Sequence, residues 1–487
     1  MSATTFGANN TPTNGIANIG GIVVFNATNG NAVRAGNVYT ILTAQGGVTG
    51  TFNGTAAISA ILTPTFVYNA NSVDVRIQAG LYANVVSANS AVQRSYATML
   101  DSSRASAGPT LASLYATLDL QNQATIQGFL ESIAPRFESL RTAIGVAETE
   151  NMSRFYRQRI EEITPGEATG QLAMMGQPLQ FAQASATYGA AAAVESDATA
   201  NMVQTAAVPL PENMSGYITA GYIDGDSRPM PAAASAGRDQ FNGWFFAVGL
   251  EREIGDHASG GFSIAYTDLN GQTGGAPQQV GGKLIQGTLY GALRTRTGLR
   301  LDGQLSAGQL QTTTRRGANL AGTTYDLRSS GDALAFSAEA GIGYDVSKGG
   351  NFSIVPRASL RYGVVDFSRV QERGGPMELV IQGRRSESLD ARTGISLAGH
   401  SGNIRPYLSA NYVHAFKDRP STFGASFTGA QAFAPFALAS TDSDWGEIAG
   451  GFSFTAGHVE IGFDADTTVF RDDVRNQSYR GRIGIRF

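Results

Sequence analysis

The feature that most constrains this chain is its last strand, where apolar or small residues alternate with charged ones up to the end of the sequence. One face carries Tyr479, Gly481, Ile483, Ile485 and Phe487, and the other carries Arg480, Arg482, Gly484 and Arg486. Such alternation predicts a β-strand with one apolar face. A soluble sheet ending in this strand would expose an aggregation-prone edge, whereas a closed barrel has no edge. The pattern therefore favours a barrel.

Segments with the same alternation recur after Met214, separated by Gly, Asp, Asn and Ser. We predict about twelve strands, an even number of the kind that outer-membrane barrels have. Their approximate positions are 214–223, 241–252, 258–270, 282–297, 299–316, 324–346, 352–370, 377–399, 403–417, 441–456, 459–470 and 475–487. The fold class is thus mainly β, with an antiparallel outer-membrane β-barrel over 214–487. The stretches Asp224–Asp239 and Arg419–Ser440 are expected to be extracellular loops.

Two further patterns favour a membrane barrel over a soluble sandwich, which alternation alone does not exclude. Aromatic residues lie near the predicted strand ends, as membrane-interface girdles do: Tyr217, Tyr222, Phe241, Trp244, Tyr266, Tyr344 and Tyr407. Arginines recur on the polar faces, where a water-filled lumen with acidic partners such as Asp464 and Asp466 can hold them. The arginines that we expect to face the lumen are Arg294, Arg357, Arg361, Arg480, Arg482 and Arg486.

The composition excludes several other classes. The chain of 487 residues has no cysteine, so it has neither a disulfide framework nor a thiolate metal site. The formal net charge is −4 and no basic stripe or tail is present, so no nucleic-acid partner is expected. No window approaches about 18 consecutive apolar residues, so no transmembrane helix is predicted. The histidines show no metal-ligand spacing, and neither a metal nor another cofactor is expected: His257, His400, His414 and His458.

The residues before the barrel divide into three parts. Residues 1–100 contain short strands rich in Val, Thr, Asn and Gly, which suits the stacked rungs of a β-solenoid. Residues 108–164 have helical periodicity, beginning near Gly108-Pro109-Thr110, and Ala134-Pro135 is expected to break or kink the run. We interpret their apolar stripes as helices that pack on one another. Residues 165–213 are poor in charge and rich in alanine, and are predicted to be a linker or a thin helix.

The first residues, 1–15, have neither the basic nor the apolar region of a secretory signal. A protein of the outer membrane needs such a signal to leave the cytoplasm. We therefore expect that Met1 is not the native start of the protein.

This order of parts resembles the translocator unit of an autotransporter (type V secretion). Gly36 to Phe52, followed by Leu62-Thr-Pro64 and Phe66-Val-Tyr68, looks like the rung pattern at the C-terminal, autochaperone-like end of a secreted passenger. Pro406-Tyr407-Leu408 and Gly450-Gly451-Phe452 look like later strands of the family barrel. The terminal strand looks like the signal that the barrel-assembly machinery reads in many outer-membrane proteins, carried here by Tyr479, Ile483, Ile485 and Phe487.

The resemblance implies a barrel in a Gram-negative outer membrane that anchors an N-terminal passenger and delivers it to the cell surface. The implied partners are outer-membrane lipid, the barrel-assembly machinery, periplasmic chaperones and the chain's own passenger. Family members thread the segment before the first strand through the pore as a helix, which here falls within 187–213. Its candidate residues are Glu195 and Asp197, which inward arginines could hold, and Asn201. Some members cleave themselves at an Asn pair in that helix, but this segment offers only Asn201, with Asp197 one helical turn earlier.

Nothing in the sequence predicts catalysis, and the chain is expected to be non-enzymatic. Gly225-Asp226-Ser227 is similar to the first block of one esterase class, but no Asp-x-x-His pair follows it, and we interpret it as a turn in an extracellular loop. Two alternatives stay open. One is a stand-alone outer-membrane pore with a helical plug, and the other is a surface adhesin that binds through 1–165 or the Arg419–Ser440 loop.

Overall fold

The N-terminal region begins with short strands. The computed structural model describes residues 15–25, 33–162, 173–174, 177–178, 214–233, 235–275, 277–347, 352–417, 421–430 and 432–486. Its first strands are β1 (Ala17–Ile19), β2 (Ile22–Val23), β3 (Val38–Thr43), β4 (Val48–Gly50), β5 (Gly54–Thr55), β6 (Leu62–Tyr68) and β7 (Ser72–Ala79). β1 pairs with β4 and β2 with β5 in parallel, as stacked rungs do, whereas β3, β7 and β6 form an antiparallel sheet. The solenoid therefore stays a prediction.

Four α-helices follow, and the first three begin where the sequence supplies a start signal. They are α1 (Ala91–Ser103), α2 (Pro109–Leu118), α3 (Gln123–Ser132) and α4 (Phe137–Glu162), with 3-10 turns at Tyr82–Asn84 and Arg104–Ser106. The side chains of Ser90 and Asn122 accept hydrogen bonds from backbone N–H groups in the first turns of α1 and α3, and Pro109 opens α2. α1 begins before the predicted helical segment, because Ser90, within the stretch predicted to be strands, caps its first turn. The chain breaks between α3 and α4 at Pro135, as predicted.

Twelve antiparallel strands close into one barrel, which confirms the predicted fold class. After a small pair, β8 (Ala173–Met174) and β9 (Gln177–Pro178), the barrel strands begin. They are β10 (Met214–Ser227), β11 (Asp239–Ile254), β12 (Ala258–Gln272), β13 (Gln278–Arg294), β14 (Leu299–Leu320), β15 (Thr323–Tyr344), β16 (Phe352–Phe367), β19 (Arg384–Gly399), β20 (Ile404–Ala415), β23 (Asp444–Ala456), β24 (Val459–Val469) and β25 (Val474–Arg486). The last strand, β25, pairs with β10 and closes the barrel.

Four more strands form a small sheet outside the barrel wall: β17 (Val370–Gln371), β18 (Leu379–Ile381), β21 (Thr422–Phe427) and β22 (Ala434–Ala437). Two connections therefore contain structure that the sequence pattern does not predict. The predicted strand 377–399 is a barrel strand only from Arg384, and the predicted loop Arg419–Ser440 contains β21 and β22. We call this sheet the loop sheet.

The two ends of the barrel differ in the length of their connections. At one end, short turns join β11 to β12, β13 to β14 and β23 to β24; we call it the short-turn end. At the other, the long-loop end, the β14–β15 hairpin extends beyond its neighbours and the loop sheet is inserted. The sequence Gly225-Asp226-Ser227 lies in β10 at this end, paired with β11 and β25. It is strand and not the predicted loop turn.

The outer wall carries a band of exposed apolar side chains. On β13 the outward residues Ile285, Leu289 and Leu293 are exposed, and Lys283 follows them toward the long-loop end. Eight residues of strand span about 27 Å, which after tilt fits an apolar band of roughly 25 Å or slightly less. Among the described residues, no helix is both long and apolar enough to cross a membrane.

Three of the seven predicted girdle aromatics point inward. Tyr217 and Phe241 are buried inside the barrel, and the Tyr407 hydroxyl donates to Asp464 at 3.0 Å. Their strand parity is that of the inward face, which proximity to a strand end does not reveal. The outward aromatics are Tyr222, Trp244, Tyr266 and Tyr344, with Trp244 and Tyr266 in contact at 5.5 Å between ring centroids.

The helices α1–α3 pack over the long-loop end. Tyr96 of α1 contacts Phe427 and Phe436 of the loop sheet, with ring centroids 5.9 and 5.0 Å apart. Its hydroxyl donates to the carbonyl of Ile133 at 2.8 Å. One continuous hydrophobic core runs from the N-terminal sheet through these helices to the loop sheet. We call α1–α3 the cap.

Placement of the apolar band in lipid leads to a test on β13. Leu289→Lys puts a charge near the middle of the band and should destabilise the lipid-inserted barrel by about 2–4 kcal/mol, whereas near the interface the cost falls to about 0–1 kcal/mol. The matched control is Gln279→Lys, on the same outward face beyond the band. Unfolding from lipid vesicles followed by heat-dependent gel mobility measures both, and equal losses would contradict the placement.

Candidate functional site

The lumen of the barrel is filled by α4. Every residue from Phe137 to Ile160 except Thr142 is buried, although the helix carries charges on several faces. At the long-loop end, the Phe137 N–H donates to Gln278 Oε1 at 3.0 Å, and Gln278 Nε2 donates to the Ala134 carbonyl at 2.8 Å. At the short-turn end, Glu162 forms an ion pair with Arg482. The helix therefore runs the length of the barrel, from the long-loop end to the short-turn end.

The half of α4 nearer the long-loop end packs on an apolar wall. That wall is the cluster Leu284, Leu310, Ala333, Ala335, Val365 and Phe367. A Cβ on Gly145 would lie 3.2 Å from side-chain atoms of both Leu310 and Phe367. On the facing strand β13, a Cβ on Gly282 would lie 2.6 Å from the side chain of Ile144. The absence of side chains at Gly145 and Gly282 thus lets helix and wall approach closely.

The other half of α4 pairs its arginines with carboxylates of the wall. Arg157 binds Glu339 through Nε at 2.8 Å and Glu447 through a terminal nitrogen at 3.0 Å. Arg159 binds both carboxylate oxygens of Glu251 at 2.7 and 2.6 Å. All of these side chains are buried, so each charge is neutralised by a partner in the fork geometry that arginine favours.

Two further pairs place opposite charges of α4 next to each other along the helix. Arg154 Nε donates to Asp466 at 2.8 Å. Four residues earlier, Glu150 accepts from Arg471 at 2.7 Å. Both pairs are buried. Since residues four apart lie on the same side of a helix, the wall must present Asp466 and Arg471 in the same order.

The arginines predicted to face the lumen lie against α4. Arg361 donates to Ser153 Oγ at 2.9 Å, and Arg480 donates to Gln158. Arg482 pairs with Glu162, and Arg357 pairs with Glu161 at 3.1 Å. Arg294 donates to the backbone carbonyl of Glu161 at 2.9 Å. The Arg486 side chain and Phe487 lie outside the described residues.

The pore helix is α4, and sequence reasoning assigned that position to 187–213. Glu195, Asp197 and Asn201 lie outside the described residues. That expectation comes from the family resemblance, in which the segment before the first strand occupies the pore, and from the small, mostly uncharged side chains of a thin helix. The lumen wall is instead rich in charge, so the helix that satisfies it is a charged one. The signal was present in Ser153-Arg-Phe-Tyr-Arg-Gln-Arg159, which has three arginines beside apolar rings and no polar face of its own.

The terminal strand has its predicted faces. Tyr479 and Ile483 are exposed on the outer wall, and Ile485 is partly exposed. Within the described part of the chain, no group of three or more His, Cys, Asp or Glu side chains could hold a metal ion. His414 lies 2.7 Å from Asp444 at the long-loop end, where this carboxylate also accepts hydrogen bonds from the Tyr412 and Ser443 hydroxyls.

The cap has a polar cluster of its own. The Tyr82 hydroxyl donates to Asp119 at 2.6 Å, and Arg104 contacts both oxygens of Asp119 at 2.8 Å. Burial and the adjacent Asp119 carboxylate raise the pKa of the Tyr82 phenol above its usual range. This arrangement joins the 3-10 turn before α1 to the C-terminal ends of α1 and α2.

Residues 220–466, just over half of the chain, match the family described as "Autotransporter beta-domain". The chain belongs to the autotransporter family. It is an outer-membrane translocator that delivers an N-terminal passenger of the same chain, and the translocator domain of this family is itself non-enzymatic.

Several solved structures are similar to this autotransporter. The translocator domain of autotransporter NalP from Neisseria meningitidis is 14% identical with a TM-score of 0.47, and the match covers 56% of this chain and 88% of that one. The transport unit of AIDA-I from Escherichia coli is 15% identical with a TM-score of 0.35, covering 56% and 90%. The β-domain of BrkA from Bordetella is 15% identical with a TM-score of 0.37, covering 56% and 100%. No curated protein matches the sequence.

The Arg159–Glu251 pair allows a double-mutant test of the lumen. Arg159→Met leaves the buried Glu251 carboxylate without its cation and should reduce stability by about 3–5 kcal/mol. Adding Glu251→Gln removes the unpaired charge and should recover much of the loss. Denaturant unfolding of the folded barrel measures all three variants. Strictly additive losses would show that the pair does not couple α4 to the wall.

Proposed function

We propose that the long-loop end of the barrel faces the cell exterior and that the residues before α4 lie at the cell surface. Outer-membrane barrels have short periplasmic turns and longer extracellular loops, and the connections here differ in that way. The direction of α4 carries the proposal. Its first residue lies at the long-loop end and its last at the short-turn end, where β10 also begins.

In this arrangement α4 is the last part of the exported segment and stays in the lumen after delivery. Its ion pairs with Glu251, Glu339, Glu447 and Asp466 hold it there. The cap then rests on the loop sheet through Tyr96 and keeps the preceding residues at the barrel mouth.

The remaining partners follow from the outer wall and from the terminal strand. Outer-membrane lipid surrounds the apolar band. The barrel-assembly machinery reads the strand that carries Tyr479, Ile483, Ile485 and Phe487, and periplasmic chaperones hold the chain before assembly. We assign no catalytic step to the described residues, and any enzymatic activity belongs to the passenger.

An epitope placed before Gly36 tests the orientation. It should be removed by protease added to intact cells, because the segment lies outside the membrane. The matched control is the same epitope in the short turn after Gly402, which should stay protected until the outer membrane is opened. Protection of the first epitope, or cleavage of the second, would reverse the proposed orientation.

Conductance in a planar bilayer separates this proposal from a stand-alone pore. The full chain should pass little current because α4 fills the lumen and most of its charged side chains are held in ion pairs with the wall. A barrel that begins at Met214 should pass a steady current, since a barrel of this size encloses a space about one helix wide. A large current from the full chain would favour the stand-alone pore.

A further inference from the structure

A polar groove lies on the outer wall of the barrel at the long-loop end. It has a volume of about 1190 Å³ and is formed by the ends of β11–β15 together with β17. Its charged lining residues are all arginines: Arg315, Arg328, Arg369 and Arg373. The rest of the lining is mostly amide, hydroxyl and glycine, including Gln240, Asn242 and Gln279.

Three of these arginines stand side by side on one rung of the sheet. Arg315 of β14 is the direct cross-strand partner of Arg328 of β15. Arg328 is in turn bridged to Arg373, with backbone N–H to carbonyl distances of 2.9 and 2.8 Å in the two directions. Direct partners share a face and lie about 5 Å apart, and like charges placed in this way destabilise a sheet. An anion bound across the row would offset the repulsion between the neighbouring guanidinium groups.

The described residues neutralise this row only in part. Asp326 bonds Arg315 at 2.7 Å and Arg328 at 2.6 Å. The side chains of Arg369 and Arg373 have no ion pair or hydrogen bond to any described residue, and both are exposed. Four guanidinium groups therefore face one carboxylate in a chain whose formal net charge is −4.

The groove opens just above the apolar band. On the outward face of β13, the groove residues Gln279 and Gly281 lie nearest the long-loop end. Lys283 and then the exposed Ile285 follow them toward the short-turn end. Arg315 lies level with Gln279, six residues from Ile285. Six residues of strand span about 20 Å, or about 15 Å along the membrane normal after strand tilt, so the arginine row lies at the level of a large lipid head group above the band. Guanidinium groups bind phosphate with paired, charge-assisted hydrogen bonds.

We propose that this groove binds the phosphate-bearing head group of a lipid in the leaflet at the long-loop end of the barrel. The row Arg315–Arg328–Arg373 contacts the phosphate, Arg369 adds a further cation, and the acyl chains lie along the apolar band below. Binding relieves the repulsion within the row. The proposed orientation of the barrel decides only which leaflet supplies the lipid, and the binding site itself does not depend on it.

The purified full chain in maltoside detergent provides the test. The probe is lipid A with two phosphates on its glucosamine head, compared with its monophosphorylated form, with phosphatidylcholine and with inorganic pyrophosphate. We expect the affinity to increase with the number of phosphate groups on the head group. The affinity should also decrease as NaCl is raised from about 0.1 to 0.5 M, because the contacts are ionic. Pyrophosphate should compete only weakly, since it lacks the chains that the apolar band holds. Equal binding of pyrophosphate and lipid A would overturn the lipid head group as the ligand.

The variant is Arg369→Gln/Arg373→Gln, because neither side chain supports the fold through a described contact. It should bind lipid A about tenfold more weakly or worse. The matched control is Arg385→Gln, an exposed arginine of β19 at the same end that pairs with Glu387, and it should bind within about twofold of the parent. Unchanged binding by the double variant would overturn the proposal.

A second measurement excludes a merely structural effect. Without lipid, Arg373→Gln should leave the unfolding temperature unchanged or raise it, because it removes a like charge from the row. With lipid A present, the parent should gain more thermal stability than this variant. A variant that is less stable without lipid would show that Arg373 supports the fold and not a ligand. Loss of epitope exposure on cells with intact lipid binding would count against the orientation alone.

Discussion

The structure depends on charge matching between α4 and the lumen wall. Taking an ion out of water costs several kcal/mol even after the protein relaxes around it. α4 buries Glu150, Arg154, Arg157 and Arg159, and the wall offers each of them an opposite charge. Helix and wall are therefore each stable in this place because of the other. Neither element would bury these side chains on its own.

The charge matching also explains how one barrel wall can have an apolar outer face and a charged inner face. Outward positions carry the apolar band, while inward positions at the same height carry Glu251, Glu339 and Asp466. Period-two alternation lets one strand meet both needs. Toward the long-loop end the wall becomes apolar around Leu310 and Phe367, and there α4 presents Ile144 and Gly145. The cap continues this apolar packing onto the loop sheet.

The sequence was informative where one periodicity set the outcome. Strand number, the faces of β25 and the inward arginines all follow from alternation, because a strand has only two faces. The pore helix did not follow, because α4 has no polar side when all of its sides are buried. Whether Arg157 is solvated or buried depends on Glu339 and Glu447, which are distant in the chain. The loop sheet was missed for a similar reason, since the pairing of β18 with β21 joins two separate connections.

The alternation of Glu150 and Arg154 along α4 fixes the position of the helix along the lumen. One helical turn is about 5.4 Å, close to four residues. If α4 moved one turn toward the long-loop end, Arg154 would take the place of Glu150 and face Arg471. If it moved one turn toward the short-turn end, Glu150 would take the place of Arg154 and face Asp466. Both movements bring like charges together in a dry interior, where repulsion is strongest. The ion pairs in the lumen therefore select a single axial register of α4, and this register sets the length of chain that lies outside the barrel.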